Sequence, residues 1–517
     1  MVALATRYSA TYPNEVLELP QDLAQCHALI RELMWTLSER EKELVKLSHR
    51  LDVLLRRVYG RRSERLDASA SPWMVSEGGS EPGAEGWTGR CSPPASKKGS
   101  SGHGRRPLPA HLPRVRMEHT VAPEQRLCER CGTPKRCIGE EVSEQLEYIP
   151  ASIHVIEHVR YKYACPCGPG DIQMAEKPAA PIAKGLAGPG LLAYVCVSKY
   201  GDHLPLHRLE GILGRFGIKV SRSTMSDWVI ACAQALEPVV EALHQGVLAS
   251  KVIHTDDTPL QVQGDEGIKT GRLWVYVGDE KHPYTLFDYT PTRSCEGPQR
   301  VLREFRAQPD SPRYLQADAY VAYDRLYETN GIEEAGCWAH TRRYFYNARK
   351  ANLTCAHEAL ALIRRLYGVE RAAHDLDAAE RQALRQQEST PILKQFEHWL
   401  SPRVKDSDSR TPLGGALHYT WNLWSSLNCY IEDGDLDIDN NEAERSIRPV
   451  AVGRKNWNFA GSHRGGRAAA HLFSLIATAT RNTIDPFIYL RDLLGRIRTH
   501  PRDRIHELLP PLWRPPG

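Results

Sequence analysis

The chain has 517 residues, which at about 150 residues per domain divide into about three or four domains. Its 67 Lys and Arg against 63 Asp and Glu leave a net charge of +4, so an acidic partner has to be met by local basic patches and not by the overall field. An apolar fraction of 41% excludes global disorder, apolar runs such as Leu191 to Val197 fall far short of the ~18 residues of a spanning helix, and Met1 to Glu15 lacks the basic-then-apolar order of a signal peptide, all of which points to a cytoplasmic protein with no membrane partner.

In chain order, residues 1–19 read as a flexible N-terminus. Residues 20–66 carry a heptad seam, with Leu23, Ile30, Leu37, Leu44, Leu51 and Val58 at one position and Cys26, Leu33, Leu47 and Leu54 three residues on, Arg40 excepted. So narrow a seam predicts a coiled coil and a homodimer or higher oligomer, where a helix lying on a globular core would show a wider stripe. Residues 67–117 form a flexible linker rich in Ser, Gly and Pro that ends in a basic run, and Arg105 and Arg106 in Gly104-Arg105-Arg106-Pro107 suit the minor groove of A·T-rich DNA as well as they suit a solvated linker.

Residues 118–180 hold Cys128-x-x-Cys131 and Cys165-Pro-Cys167, with strand-like Val142 to Tyr148 and Ile153 to Tyr163 between them. A β ribbon joining two Cys knuckles would bring four thiolates to one structural Zn²⁺. The second pair has a single spacer residue, so Cys137 is an alternative ligand, and buried unmetallated Cys is the other reading. Residues 181–246 are helical. Within them Leu206 to Phe216, a turn at Gly217-Ile218 and Ser221 to Ala231 have helix-turn-helix spacing, with Ser221 or Ser223 as cap and Arg222, Ser223, Thr224 and Ser226 at the base-reading end; a plain helical hairpin fits the same pattern.

From residue 247 the period changes to that of strands, over Lys251 to His254, Arg272 to Val277, Thr285 to Tyr289 and Arg313 to Leu315, with a helix over Pro298 to Phe305. Two of these strands end in acids, at Asp256-Asp257 and at Asp318, and carboxylates at adjacent strand ends share hard divalent cations; each alone also reads as a turn acid. A long helical stretch, residues 346–430, then precedes Asn440-Asn441-x-x-Glu444-Arg445-x-x-Arg448 in residues 431–517. With Asn441 as helix cap, Asn441, Glu444, Arg445 and Arg448 share a face, although Asn441-x-x-Glu444 also reads as a capping box. Arg445, Arg448, Arg454, Lys455, Arg464 and Arg467 make this region strongly basic, which suits phosphodiester chemistry.

Asp256, Asp318 and Glu444 on strand, strand and helix, with an insertion before the Glu, resemble the DDE triad of transposases and integrases with an RNase H-like fold. Cys337-Trp338-Ala339-His340-x-Arg342-Arg343, the Asn440 to Pro449 segment, Gly453-Arg454-Lys455-Asn456-Trp457 and Phe459-Ala460-Gly461-Ser462 are closely similar to the insertion-sequence-66 family of bacterial transposases. That resemblance implies a multidomain α/β protein with an RNase H-like mixed-sheet core over residues 247–345 and 431–517. It further implies two Mg²⁺ (or Mn²⁺) ions held by Asp256, Asp318 and Glu444, and a Cys337-x-x-His340 element near the active site; for the latter, a packed Cys beside a helix-surface His is the alternative. Asp257 stands where the family more often has Glu, and Ala319 where it more often has Gly.

The implied activity is cleavage of the element's own ends and joining of the 3′-hydroxyls to target DNA. Its partner is double-stranded DNA, at the element's ends and at the target, and its place is the bacterial nucleoid; whether companion proteins of the same element are partners too is left open by the sequence. A catalytically silent DNA-binding regulator is the rival reading. A paired-His single-strand transposase is excluded, because no two of the 21 His are separated by one residue.

Overall fold

The computed structural model describes residues 185–515 apart from 265, 266, 309 and 310, together with 153–159, 162–164, 172–174, 179–182 and scattered positions between 27 and 43. The chain divides into two compact units, residues 1–61 with 160–517, and residues 62–159. In the first, the described positions between 27 and 43 are helical and exposed, while the seam residues of the coiled-coil reading lie outside the described residues. In the second, residues 153–159 are exposed and not in a strand, which corrects the strand reading there: the alternation finds no pairing partner among the described residues. The ribbon that is described joins β1 (Lys162–Ala164) to β2 (Ile172–Met174), antiparallel.

Four helices follow: α1 (Pro189–Tyr200), α2 (Leu206–Gly214), α3 (Arg222–Ala235) and α4 (Glu237–Leu248). Gly217 takes φ +78° in the turn after α2, a backbone that suits glycine. Ser221 caps α3, accepting the Thr224 N–H at 3.2 Å. Leu192, Leu209, Trp228 and Leu243 of these helices join the core cluster that also contains the sheet, so the helical segment has no core of its own.

A five-stranded mixed sheet follows, from β3 (Val252–Gly264), β4 (Gly267–Val277), β5 (Thr285–Thr290), β6 (Tyr314–Gln316) and β7 (Glu333–Ala335), in the order β5-β4-β3-β6-β7. β3, β4 and β5 are antiparallel, whereas β6 runs parallel to both β3 and β7. The helix between β5 and β6 is α5 (Glu296–Val301), shifted toward the N-terminus of the expected Pro298 to Phe305, and α6 (Asp324–Asn330) precedes β7.

β3 does not end at its acids. It runs on through Leu260 and Val262, both buried, because β4 pairs with it as far as Gly264↔Gly267. Past His254 the other edge of β3 has no strand beside it among the described residues, and Pro259 is tolerated there. Ala460 takes up part of that edge, accepting the Gln263 N–H at 2.9 Å and donating to the Gln261 carbonyl at 2.8 Å.

The chain then enters α7 (Trp338–Ala348) and the insertion helices α8 (Leu353–Ala372), α9 (Ala378–Leu384), α10 (Thr390–Lys405), α11 (Pro412–Asn422) and α12 (Trp424–Asn428). Trp338, Phe345, Phe396 and Leu400 centre a second core, which reaches the sheet through Val252, Tyr314 and Ala335. Finally come α13 (Asn441–Trp457), α14 (His463–Arg481) and α15 (Pro486–Arg496). α14 covers the open edge of β5: Ser474 Oγ accepts the Phe287 N–H at 2.7 Å and Thr478 Oγ1 the Thr285 N–H at 3.0 Å.

Candidate active site

The parallel register sets His254 of β3 beside Gln316 of β6. Two residues beyond that pair stand Asp256, within β3, and Asp318, in the bend after β6. The bend is held by Ala319 at φ +61°, a conformation L residues rarely adopt. The Asp256 carboxylate accepts the Asp257 N–H at 2.7 Å. Burial first, and then the charges of Asp318, Asp257 and Glu444, push its pKa up to about 7 against the pull of that hydrogen bond.

α13 lies on β3 and delivers the third acid. Its cap is Asn440, not Asn441, and no side chain caps it: Asn441 is the first helical residue. Asn440 is fully buried and serves instead as a strut, donating from Nδ2 to the Thr255 carbonyl at 2.8 Å and from its N–H to Cys337 Sγ at 3.2 Å. Asp439 accepts the Asn441 N–H at 3.0 Å, the Asn441 amide at 2.7 Å and the Tyr367 hydroxyl at 2.7 Å. Glu444 is therefore not spent on a capping box. Its two oxygens accept from Arg343 Nη2, each at 3.3 Å, and Oε1 lies 3.7 Å from His340 Nε2.

Cys337 is buried at the start of α7, where burial pushes its thiol up to about 12, so it stays protonated and serves as an acceptor. Burial, and after it the Arg343 charge, lowers the His340 pKa, which favours a neutral imidazole beside Glu444.

Asp257 points away from Asp256 and is locked. Its side chain is 3% exposed; Oδ1 accepts Arg293 Nε at 3.0 Å and Nη2 at 2.7 Å, and Oδ2 is ion-paired with Arg272 at 3.0 Å. The Arg293 guanidinium in turn lies 3.8 Å over the Tyr320 ring, and the Tyr320 hydroxyl donates to the Arg293 carbonyl at 2.7 Å. Arg293 thus ties the neighbour of Asp256 to the residue two past Asp318. Sequence reasoning missed Arg293, Arg343 and the strut role of Asn440, whose partners lie 36, 101 and 185 residues away along the chain.

Carboxylates are the donor type that suits a hard divalent cation, and each of the three acids is partly exposed. Among the described residues, however, no three His, Cys, Asp or Glu side chains stand together in metal-ligand geometry, and Glu444 is paired with Arg343.

Of the expected DNA contacts, Arg222, Ser223 and Thr224 are exposed at the start of α3, and Arg448 and Lys455 are exposed on α13. Arg445 is also exposed and is paired with Glu442 at 2.5 Å. Arg454 turns inward, donating to Thr258 Oγ1 at 2.6 Å and to the Pro259 carbonyl at 2.7 Å. Arg105, Arg106, Cys128, Cys131, Cys165 and Cys167 lie outside the described residues. No described helix is long and apolar enough to cross a membrane.

Residues 184–468, more than half of the chain, match the family described as transposase IS66. Residues 125–168 match the zinc-finger binding domain of transposase IS66, 474–510 the IS66 C-terminal element, and 46–117 the domain described as transposase C of IS166 homeodomain. Two proteins of Sinorhizobium fredii, both described as uncharacterized, are similar over nearly their full length. The chain is 32% identical to y4hP over 505 residues, covering 91% of this chain and 89% of that protein. It is also 32% identical to y4qI over 516 residues, covering 95% and 93%.

Proposed function

Because the chain belongs to the IS66 family of transposases, we propose that it cuts the ends of its own mobile element and joins the freed 3′-hydroxyls to target DNA. The observation that carries this reading is the parallel register that sets Asp256 and Asp318 each two residues past the paired His254 and Gln316, within the segment that matches the IS66 transposase family. The strand order β5-β4-β3-β6-β7, antiparallel in its first three strands and parallel in the rest, supports an RNase H-like core around them.

Asp256, Asp318 and Glu444 would hold two Mg²⁺ or Mn²⁺ ions, whose chemistry when bound is to activate water or a 3′-hydroxyl and to neutralise charge on the attacking and leaving oxygens. The chain's own residues set the stage for that. Ala319 and the Arg293 clamp fix the bend that presents Asp318, Asn440 ties the start of α13 to the strand bearing Asp256, and Arg343 with neutral His340 orients Glu444. Arg448 and Lys455 supply exposed positive charge for phosphates, and Arg222, Ser223 and Thr224 supply the end of a helix that reads base edges. Cys128, Cys131, Cys165 and Cys167 would bind one structural Zn²⁺ in the segment that matches the zinc-finger domain. The reading is tested by incubating purified protein and Mg²⁺ with a duplex that carries the inverted repeat bordering the gene. Nicks leaving a 3′-hydroxyl at the repeat boundary are expected, and a duplex left intact while the protein binds it contradicts the reading.

A further inference from the structure

The helix before the insertion and a helix of the insertion meet in an aromatic pair. Tyr344 of α7 stacks on Tyr419 of α11, with ring centroids 4.3 Å apart and planes 24° from parallel. Tyr344 stands next to Arg343, which holds Glu444, and one helical turn past His340, an advance of about 5–6 Å. The inner ring belongs to the same neighbourhood: burial raises the Tyr419 phenol pKa, and the nearby Cys337, Tyr344 and Asp318 raise it further. The outer ring is 44% exposed, an unusual cost for a large aromatic in a segment whose core is already filled by Trp338, Phe345 and Phe396.

A flat π-system that lies beside phosphodiester chemistry and keeps ring surface open is suited to another flat π-system. In an intact duplex the bases are hidden; at a cut end the terminal nucleotide frays and its face becomes available. We infer that Tyr344, backed by Tyr419, is a stacking platform for an unpaired nucleobase adjacent to the cleaved phosphodiester. This rests on the transposase reading above. The occupant is a base and not a protein side chain because Tyr344 adjoins, on the same helix, the Arg343 that holds Glu444, so a strand engaged at that acid runs close by. Stacking of this kind tolerates any base sequence and is lost without the base.

The test compares a pre-nicked element end carrying either a normal or an abasic terminal nucleotide, with Ca²⁺ in place of Mg²⁺ so that binding is read without cleavage. Wild type and Tyr344→Phe are expected to bind the normal end about tenfold more tightly than the abasic one, and Tyr344→Ala to bind both equally, at the abasic level. An abasic penalty as large in Tyr344→Ala as in wild type overturns the inference and leaves the transposase reading standing, whereas wild type that binds no element end overturns both. A second probe needs no variant: 5-iodouracil at the terminal position, irradiated on the native protein, is expected to cross-link to Tyr344, and cross-linking only to peptides outside α7 and α11 also overturns it.

Discussion

Asp256 and Asp257 are neighbours of equal charge, and the fold gives them opposite work, so one substitution made at each should move stability in opposite directions. Asp257→Asn takes the charge from a side chain that is 3% exposed and holds both Arg272 and Arg293, and it turns an amide donor toward a guanidinium. Breaking one partner of a buried pair costs about 3–5 kcal/mol, and the lower end applies because Arg272 and Arg293 are 24% and 37% exposed. About 3 kcal/mol corresponds to a fall of ~6–12 °C in Tm.

Asp256→Asn instead removes a carboxylate whose ionised form is disfavoured first by burial and then by the charges of Asp318, Asp257 and Glu444. The Asp256 pKa is raised in the folded chain, from 3.8 to about 7, so the native state binds the extra proton between those values. Its ionisation therefore costs stability progressively as pH rises through that window, in full above about 7 and not at all below about 4. Screened by solvent at a half-buried site, the cost is ~1–2 kcal/mol, and Asp256→Asn should melt a few degrees above wild type at pH 8 and level with it at pH 4. Metal-free melts of the two variants at both pH values check this. If Asp257→Asn melts with wild type while Asp256→Asn melts below it at pH 8, the assignment of the buried, paired role and the repelled role is reversed.

Ala319→Gly should stabilise the chain by about 0.5–1 kcal/mol, since it relieves an L residue at φ +61°, and a denaturant midpoint unchanged or lowered would count against that strain. Cys128→Ser combined with Cys131→Ser should reduce the zinc found by elemental analysis from about one atom per chain to none, and undiminished zinc would refute the ligand set. Deleting residues 1–66 should lower the mass measured by light scattering to that of a monomer, because the heptad seam is the proposed oligomer contact; an unchanged mass refutes it.

The features legible in the sequence are those whose signal is local. Ser221 announces its helix within three residues, and the 3.6-residue period of the insertion survives in Leu362, Ile363 and Leu366. Asp256 and Asp318 could be set side by side because each follows a short apolar run that reads as a strand. Where β3 ends could not be read, since Asp-Asp-Thr-Pro is turn chemistry and only pairing with β4 carries the strand through it. β7 is three residues long, too short for any alternation to show. Asn441 was the better cap on pattern, but Asn440 is drawn inward by the Thr255 carbonyl, a partner that no local rule supplies. The Arg293 clamp and the Tyr344–Tyr419 stack were silent for the same reason: their residue types are ordinary, and only the fold brings them together.

The proposed transposase chemistry has three acids act through metal while other surfaces hold DNA. It is tested most directly by measuring strand cleavage and gel-shift affinity side by side for Asp256→Asn, Asp318→Asn and Glu444→Gln on the element's own ends. Each variant should lose cleavage and joining by more than about a hundredfold and keep its affinity for the ends within about threefold of wild type. Cleavage that persists in all three, or affinity that collapses together with cleavage in variants that remain folded, would contradict it.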